Sequence, residues 1–110
     1  MKMTLSEYQE KASKTALYPK EHGVTYTVLG LSGEAGEIAD KYKKVIRDQG
    51  GVMSDEKKSE IAKELGDVLW YVAMAAHELG YDLDEVAKRN IDKLQSRKDR
   101  GKIQGSGDNR

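Results

Sequence analysis

Cysteine and phenylalanine are absent from this chain of 110 residues, and proline and tryptophan occur once each. Without cysteine there is no disulfide framework, no thiolate zinc site and no cysteine nucleophile, so packing alone must hold the fold together. This length suits one ordinary domain, and we predict a single domain over residues 1–110. A large active site would then need partner subunits, because one such domain has room for only one core.

Net charge and long apolar runs are also lacking. The 19 basic and 19 acidic side chains cancel, which removes the overall attraction to phosphate polymers and argues against nucleic-acid binding. No apolar run approaches the roughly 18 residues of a membrane span, and the first residues lack the apolar stretch of a secretion signal. We therefore expect a cytoplasmic protein that does not enter the membrane.

Helix-forming residues fill the space between the glycines, with apolar positions three and four residues apart, so we predict an all-α fold. The four expected helices lie at about 4–15, 25–47, 54–79 and 82–97. Thr4 with Glu7 has the spacing of a capping box, and Asp82 with Glu85 repeats it. The tail, residues 98–110, is glycine-rich and basic and is predicted to be disordered on its own.

Two pairs of acidic residues border the apolar stripes of the second and third predicted helices. The pairs are Glu34 with Glu37, and Glu64 with Asp67. Both pairs are centred on the Gly50–Gly51 junction, so an antiparallel hairpin brings four carboxylates to one level. The four would repel one another unless a cation neutralises them. All-oxygen ligation favours Mg²⁺ or Mn²⁺, and such a centre suits hydrolysis of a nucleotide-like phosphoanhydride.

The same acids also fit a simpler alternative, in which they are solvated helix faces in a chain that is 35% charged. The protein would then be a non-catalytic helical interaction module. Trp70, which lies off the apolar stripe, would meet a partner or a second subunit. Glycines at 33, 36 and 66 favour the metal site, because small residues beside the acids leave space for a metal or a phosphate.

Three segments carry a resemblance to a known family. They are Gly30-Leu-Ser-Gly-Glu34-Ala-Gly-Glu37, Lys63-Glu64-Leu-Gly-Asp67-Val-Leu-Trp-Tyr71, and Asn90-Ile-Asp-Lys93-Leu-Gln-Ser-Arg97 with the glycine-rich tail after it. Over roughly residues 25–110 the chain resembles the MazG family of all-α nucleoside triphosphate pyrophosphohydrolases. The resemblance implies a four-helix bundle with its metal site on the hairpin, completed as a homodimer or homotetramer.

The resemblance also implies a reaction, in which a nucleoside triphosphate is cleaved between its α and β phosphates to a monophosphate and pyrophosphate. Glu34, Glu37, Glu64 and Asp67 would be the catalytic Mg²⁺ ligands, with Mn²⁺ as a possible substitute. The motifs do not distinguish a deoxynucleotide from a noncanonical nucleotide as the substrate.

Five further side chains are candidates for substrate binding: Lys41, Tyr71, Asn90, Lys93 and Arg97. Lys93 and Arg97 share a helix face and either meet phosphates or form a solvated basic face near the helix end. Lys41 either contacts phosphate or pairs with an acid. Tyr71 either stacks on a base or packs at the boundary of the core, and Asn90 either bonds the ligand or lies on the surface.

Charge is distributed unevenly along the chain. Residues 1–87 carry 11 basic and 16 acidic side chains, a balance of −5, whereas residues 88–110 carry 8 basic and 3 acidic ones, a balance of +5. An acidic centre for the metal and a basic arm for the phosphates would together suit a metal-bound nucleotide.

Overall fold

The computed structural model describes residues 2–110, which form four α-helices and one 3₁₀ turn. Their bounds are α1 Leu5–Ser13, the 3₁₀ turn Lys20–His22, α2 Gly23–Gln49, α3 Asp55–Glu78 and α4 Leu83–Asp99. No strand occurs over these residues, so the predicted all-α fold is confirmed, and Met1 lies outside the described range. None of the described helices combines the length and the apolar character needed to cross a membrane.

The two long helices, α2 and α3, form an antiparallel hairpin around a short glycine turn. Gly50 and Gly51 both have positive φ, 61° and 80°, and glycine adopts these angles without strain. Ser54 then caps α3, because its hydroxyl accepts a hydrogen bond from the Lys57 N–H at 3.1 Å. The turn therefore lies where the symmetry of the acidic pairs predicts it.

Helix α1 packs across the C-terminal half of α3 and the start of α4. The predicted capping box at Thr4 and Glu7 is present. The buried Gln9 amide donates to the carbonyl oxygens of Ala73 at 3.1 Å and Tyr81 at 3.0 Å, and its own oxygen accepts from the Leu83 N–H at 3.0 Å. The core of this end is a cluster of Ala12, Ala16, Tyr18, Ala73, Met74, Ala76 and Leu83.

The second predicted capping box, Asp82 with Glu85, is wrong. The Asp82 side chain caps no N–H of α4 and instead accepts a hydrogen bond from the Ser6 hydroxyl of α1. The same hydroxyl accepts from the Asp84 N–H at 3.2 Å, so α4 is capped by a different helix. Glu85 forms an ion pair with Arg89 one turn further on, at 3.0 Å.

The tail also differs from its prediction of disorder. Residues 102–110 fold back on the end of α4, where Arg97 is only 5% exposed and donates to the Asp108 carbonyl oxygen at 2.6 Å. Arg110 closes this segment through hydrogen bonds to three of its carbonyl oxygens. The segment is therefore held by hydrogen bonds from the guanidinium groups of Arg97, Arg100 and Arg110 to backbone carbonyl oxygens. Apolar packing is not what holds it.

Much of the apolar stripe of the hairpin is uncovered within the single chain. Val28 and Ile46 on α2 and Leu65 on α3 belong to this stripe and are 49%, 57% and 55% exposed. The radius of gyration is 16.8 Å, against about 13 Å for a compact chain of this length. The described chain is therefore open, with an unpartnered apolar side on α2 and α3.

Candidate metal centre

The hairpin brings three carboxylates together. Glu34 and Glu37 come from α2 and Glu64 from α3, and one oxygen of each lies within 4.8 Å of the others. Ligands of one Mg²⁺ at about 2.1 Å lie no more than about 4.2 Å apart. Small side-chain rotations would therefore bring these three oxygens onto one ion. Divalent metal binding suits this group, because its members are all hard oxygen donors.

One oxygen of the cluster has no partner of its own. The Oε2 atom of Glu64 is buried and accepts no hydrogen bond from any described residue, while its Oε1 atom lies 4.0 Å from Lys41 Nζ. An unpaired buried carboxylate oxygen is costly, and a cation between the helices would remove that cost. Lys41 therefore pairs with Glu64 in this chain. This was one of the two roles that the sequence allowed for Lys41, the other being contact with a phosphate.

Burial and mutual repulsion act on the cluster in the same direction. Burial raises the pKa of Glu64, and the neighbouring Glu37 raises it further, while Lys41 opposes both effects. Burial also raises the pKa of Glu34, with Glu37 and Asp67 adding to it. The carboxylates are thus held where their own negative charge is unfavourable, which is the electrostatic setting of a cation site.

Asp67 stands beside this group, outside the set of three. It lines a cavity of about 340 Å³ together with Thr15, Glu34, Trp70 and Tyr71. The hairpin register thus places Glu37 near Glu64 and Glu34 near Asp67, as the centre of the two pairs predicts. Glu34 thus belongs both to the group of three carboxylates and to the lining of the cavity.

Glycine beside the acids has two different roles. A methyl group on Gly30 would overlap the ring of Tyr71, so glycine is what lets that ring lie against α2. Gly33, Gly36 and Gly66 have no atom within 4 Å of such a methyl group. Close approach therefore explains Gly30, whereas the other three leave open space beside the carboxylates.

Two aromatic rings, those of Trp70 and Tyr71, line the cavity beside the acids. The Trp70 ring meets Tyr71 edge-on with centroids 5.0 Å apart, and its indole N–H donates to the Thr15 hydroxyl at 2.9 Å. Trp70 also packs against the buried cluster of α1 and α3. It is therefore held in place within the chain, although its side chain is only partly buried.

Sequence reasoning missed Thr15 and Trp70 as residues of the cavity. Trp70 is three residues after Asp67, so helical spacing alone could have placed it beside the acids. No comparable signal exists for Thr15, because it reaches the site only through the packing of α1 on α3.

The predicted substrate-binding residues are divided among three places. Tyr71 lines the carboxylate cavity. Asn90 and Lys93 line a second cavity of about 390 Å³ with Tyr81, Val86 and Arg89, and Arg97 is buried under the tail. A single chain therefore does not bring the basic side chains of α4 to the acids.

The fold and the site together define a small all-α protein with a carboxylate cluster on a helical hairpin. The chain belongs to the MazG nucleotide pyrophosphohydrolase domain family, whose sequence model matches residues 23–101.

Two relatives extend the comparison. The chain is 53% identical over 114 residues to the Gene 37 protein of Mycobacterium phage L5, covering 98% of this chain and 100% of that protein. It is 32% identical over 98 residues to the uncharacterized protein YvdC of Bacillus subtilis strain 168, covering 84% of this chain and 88% of YvdC. No solved structure matches the chain.

Proposed function

We propose that this protein hydrolyses nucleoside triphosphates between the α and β phosphates, giving a nucleoside monophosphate and pyrophosphate, with Mg²⁺ as the natural cofactor. The observation that carries the proposal is the cluster of Glu34, Glu37 and Glu64 with its buried, unpartnered oxygen. Membership of a nucleotide pyrophosphohydrolase family supports it. Mn²⁺, which accepts the same oxygen ligands, would serve as a substitute.

The residues of the chain have separable roles in this reaction. Glu34, Glu37 and Glu64 hold the cation, and Lys41 offsets part of their charge. A bound Mg²⁺ supplies positive charge for the phosphates and lowers the pKa of a water molecule. Asp67, which lines the cavity with Glu34, is the expected fourth ligand of the cation.

The cavity beside the acids suits the nucleoside part of the substrate. Its volume of about 340 Å³ falls within the range of small-molecule pockets, about 300–1,000 Å³. Trp70 and Tyr71 offer aromatic surface to a base. We expect a deoxynucleotide or a noncanonical nucleotide, drawn from the cytoplasmic pool.

The enzyme would act as a homodimer or homotetramer. The exposed apolar side of α2 and α3 gives a second copy a surface to cover, and a symmetric oligomer is the usual way to cover it. Asn90 and Lys93 do not line the carboxylate cavity of their own chain. They would meet the phosphates of a nucleotide only at a site shared between subunits.

A substrate panel with product identification tests the reaction. Purified protein is incubated with ribo- and deoxynucleoside triphosphates and Mg²⁺, and the products are separated by ion-exchange chromatography. We expect pyrophosphate and monophosphate in equal amounts. Release of orthophosphate, or no turnover of any nucleotide, would contradict the mechanism, and the second outcome would favour the non-catalytic interaction module.

A matched pair of variants tests the role of the acids. Glu37→Gln removes one charge from the cluster and should lower kcat by at least about 100-fold, as expected when a catalytic metal site loses a ligand. Glu56→Gln changes an exposed acid in the first turn of α3 and should leave kcat unchanged. Circular dichroism should show the same helical content in both, and a loss of helix in Glu37→Gln would indicate a structural role.

A further inference from the structure

Thr15 lies in the segment that joins α1 to α2, outside the residues 23–101 that the family model matches. It nevertheless lines the carboxylate cavity together with residues of α2 and α3, which are Glu34, Asp67, Trp70 and Tyr71. Among the described residues that line this cavity, Thr15 alone comes from outside the matched segment. It is therefore a part of the site that the family signature does not specify.

The Thr15 hydroxyl has a fixed direction. Its O–H donates to the carbonyl oxygen of Ala12 at 2.7 Å, and Ala12 belongs to the buried core cluster. The same oxygen accepts a hydrogen bond from the indole N–H of Trp70 at 2.9 Å. A hydroxyl has only one proton to donate, so with that proton given to Ala12 it meets Trp70 as an acceptor. The hydroxyl thus connects the indole to the buried end of α1.

Two tyrosine rings also contact the indole. Trp70 meets Tyr71 edge-on with centroids 5.0 Å apart, and it meets Tyr18 edge-on with centroids 6.3 Å apart. Contacts between aromatic rings tolerate a broad range of distances, whereas a hydrogen bond weakens steeply away from its preferred angle. The hydrogen bond to Thr15 is therefore the contact that sets the orientation of the indole most narrowly.

The orientation of Trp70 matters because this ring lies beside the acids. It lines the cavity with Glu34, which also belongs to the group of three carboxylates. In the proposed function, phosphates held by a cation at these carboxylates bring the nucleoside to the adjoining cavity. A base packs well on an aromatic ring only when the two are suitably oriented. The way in which Trp70 is held should therefore affect how tightly a nucleotide binds.

We propose that Thr15 is a positioning residue of the nucleotide site, which holds the Trp70 indole as the surface on which the nucleobase packs. The inference rests on the proposed function for the identity of the ligand as a nucleotide. Over the described residues the Thr15 hydroxyl bonds Ala12 and Trp70 and no carboxylate. Thr15 therefore acts on binding of the nucleoside part and leaves the chemistry at the cation to the acids.

Three variants test the role of the hydroxyl in turnover. Thr15→Val removes it and keeps the branched shape, and the N–H of residue 15, which also donates to the Ala12 carbonyl at 2.9 Å, keeps the end of α1 closed. We expect KM for the nucleotide to rise about 3–10-fold, as for loss of one hydrogen bond, with kcat nearly unchanged. Thr15→Ser should restore KM. Thr25→Val, the same change at an exposed threonine of α2, should alter neither constant.

A double-mutant cycle tests whether Thr15 acts through Trp70. Trp70→Phe keeps an aromatic ring and removes the N–H that Thr15 accepts. In this background Thr15→Val should cause no further rise in KM, because the hydrogen bond is already absent. Effects of the two changes that simply add would overturn the proposal. An unchanged KM in Thr15→Val, or a KM that Thr15→Ser fails to restore, would overturn it as well.

Fluorescence follows the same contact without turnover, because Trp70 is the only tryptophan of the chain. In Thr15→Val the freed indole N–H bonds water, so the emission maximum should move to longer wavelength, and Thr15→Ser should match wild type. A nucleoside triphosphate with a methylene group between the α and β phosphates, added with Mg²⁺, should quench the emission of wild-type protein. The concentration that gives half of the quenching should be about 3–10-fold higher for Thr15→Val.

The titration also separates this inference from the proposed function, since the methylene analogue cannot be cleaved between those phosphates. Quenching that depends on Thr15, in a protein that releases no pyrophosphate from any nucleotide, would contradict the proposed function and support this inference. Normal turnover with no effect of Thr15→Val on KM or on quenching would do the reverse. Wild-type emission that the analogue leaves unchanged would overturn the inference, because Trp70 would then not meet the nucleobase.

Discussion

Gly30 lies on α2 where the ring of Tyr71 leans against the helix backbone. Gly30→Ala would force this ring to move, at a cost of about 1–3 kcal/mol for overpacking. Gly33→Ala, one turn further on, meets no atom within 4 Å and should gain up to about 1 kcal/mol in helix propensity. Urea denaturation should therefore rank Gly30→Ala below Gly33→Ala in free energy of unfolding. Equal stability of the two variants would show that the Tyr71 ring is not held against α2.

Glu64 carries the buried carboxylate oxygen of the cluster that accepts no hydrogen bond in the described chain. Glu64→Gln removes that charge and should leave the metal-free protein as stable as wild type or more so, because the buried oxygen no longer carries a charge. The same change should abolish stabilisation by Mg²⁺, which for wild type reaches about 2.7 kcal/mol at 100 times Kd. Thermal unfolding with and without Mg²⁺ measures both effects.

A matched variant separates the buried acid from an ordinary one. Glu56→Gln, at an exposed position of α3, should retain the full Mg²⁺ stabilisation. If Glu64→Gln also retained it, Glu64 would not be a metal ligand and the centre would have to form without it.

Tyr18 links the segment between α1 and α2 to the end of α3. The Tyr18 hydroxyl donates a hydrogen bond to Glu78 Oε2 at 2.6 Å, and burial together with this carboxylate raises the pKa of Tyr18. A tyrosine whose pKa is raised by folding contributes stability that is fully present below about pH 10 and is lost as the pH rises through the folded-state pKa.

Tyr18→Phe therefore has a pH-dependent effect. At pH 7 it should lower the free energy of unfolding by about 1.5–3 kcal/mol, the range for a hydrogen bond to a charged group. Above pH 10 the difference between wild type and variant should shrink, because wild type then loses the same contribution. Tyr42→Phe, at an exposed tyrosine of α2, is the control. A difference that stays constant from pH 7 to pH 11 would contradict this account.

The elements also show how far sequence reasoning reaches. The helices, the hairpin turn and the Thr4 capping box follow from local patterns, and the acidic pairs follow from helical spacing and symmetry about the turn. The cap of α4 could not be predicted, because Ser6 reaches it from another helix. The folded tail could not be predicted either, since its stability comes from guanidinium contacts to carbonyl groups and not from apolar burial.

At the scale of the whole molecule, the uncovered apolar side of the hairpin is the main departure from the predicted bundle. Four apolar residues of α2 lie on one side of the helix, because they are spaced seven, seven and four residues apart. They are Val28, Ala35, Tyr42 and Ile46. Glu34 and Glu37 lie toward another side of the same helix. A second copy could therefore cover the apolar side without blocking the acids.

Ile46→Glu tests this arrangement, because residue 46 is 57% exposed on that side and more than two helical turns from Glu37. A charge there should prevent association, since burying an unpaired carboxylate costs several kcal/mol. Light scattering after size exclusion should show an oligomer for wild type and a monomer for Ile46→Glu. Leu17→Glu, at a residue that is 92% exposed outside the helices, should remain an oligomer.

The same variant tests whether Asn90 and Lys93 act across the interface. If they do, monomeric Ile46→Glu protein should still bind Mg²⁺ at the carboxylate cluster but should lose nucleotide turnover. A fully active monomer would contradict a site shared between subunits.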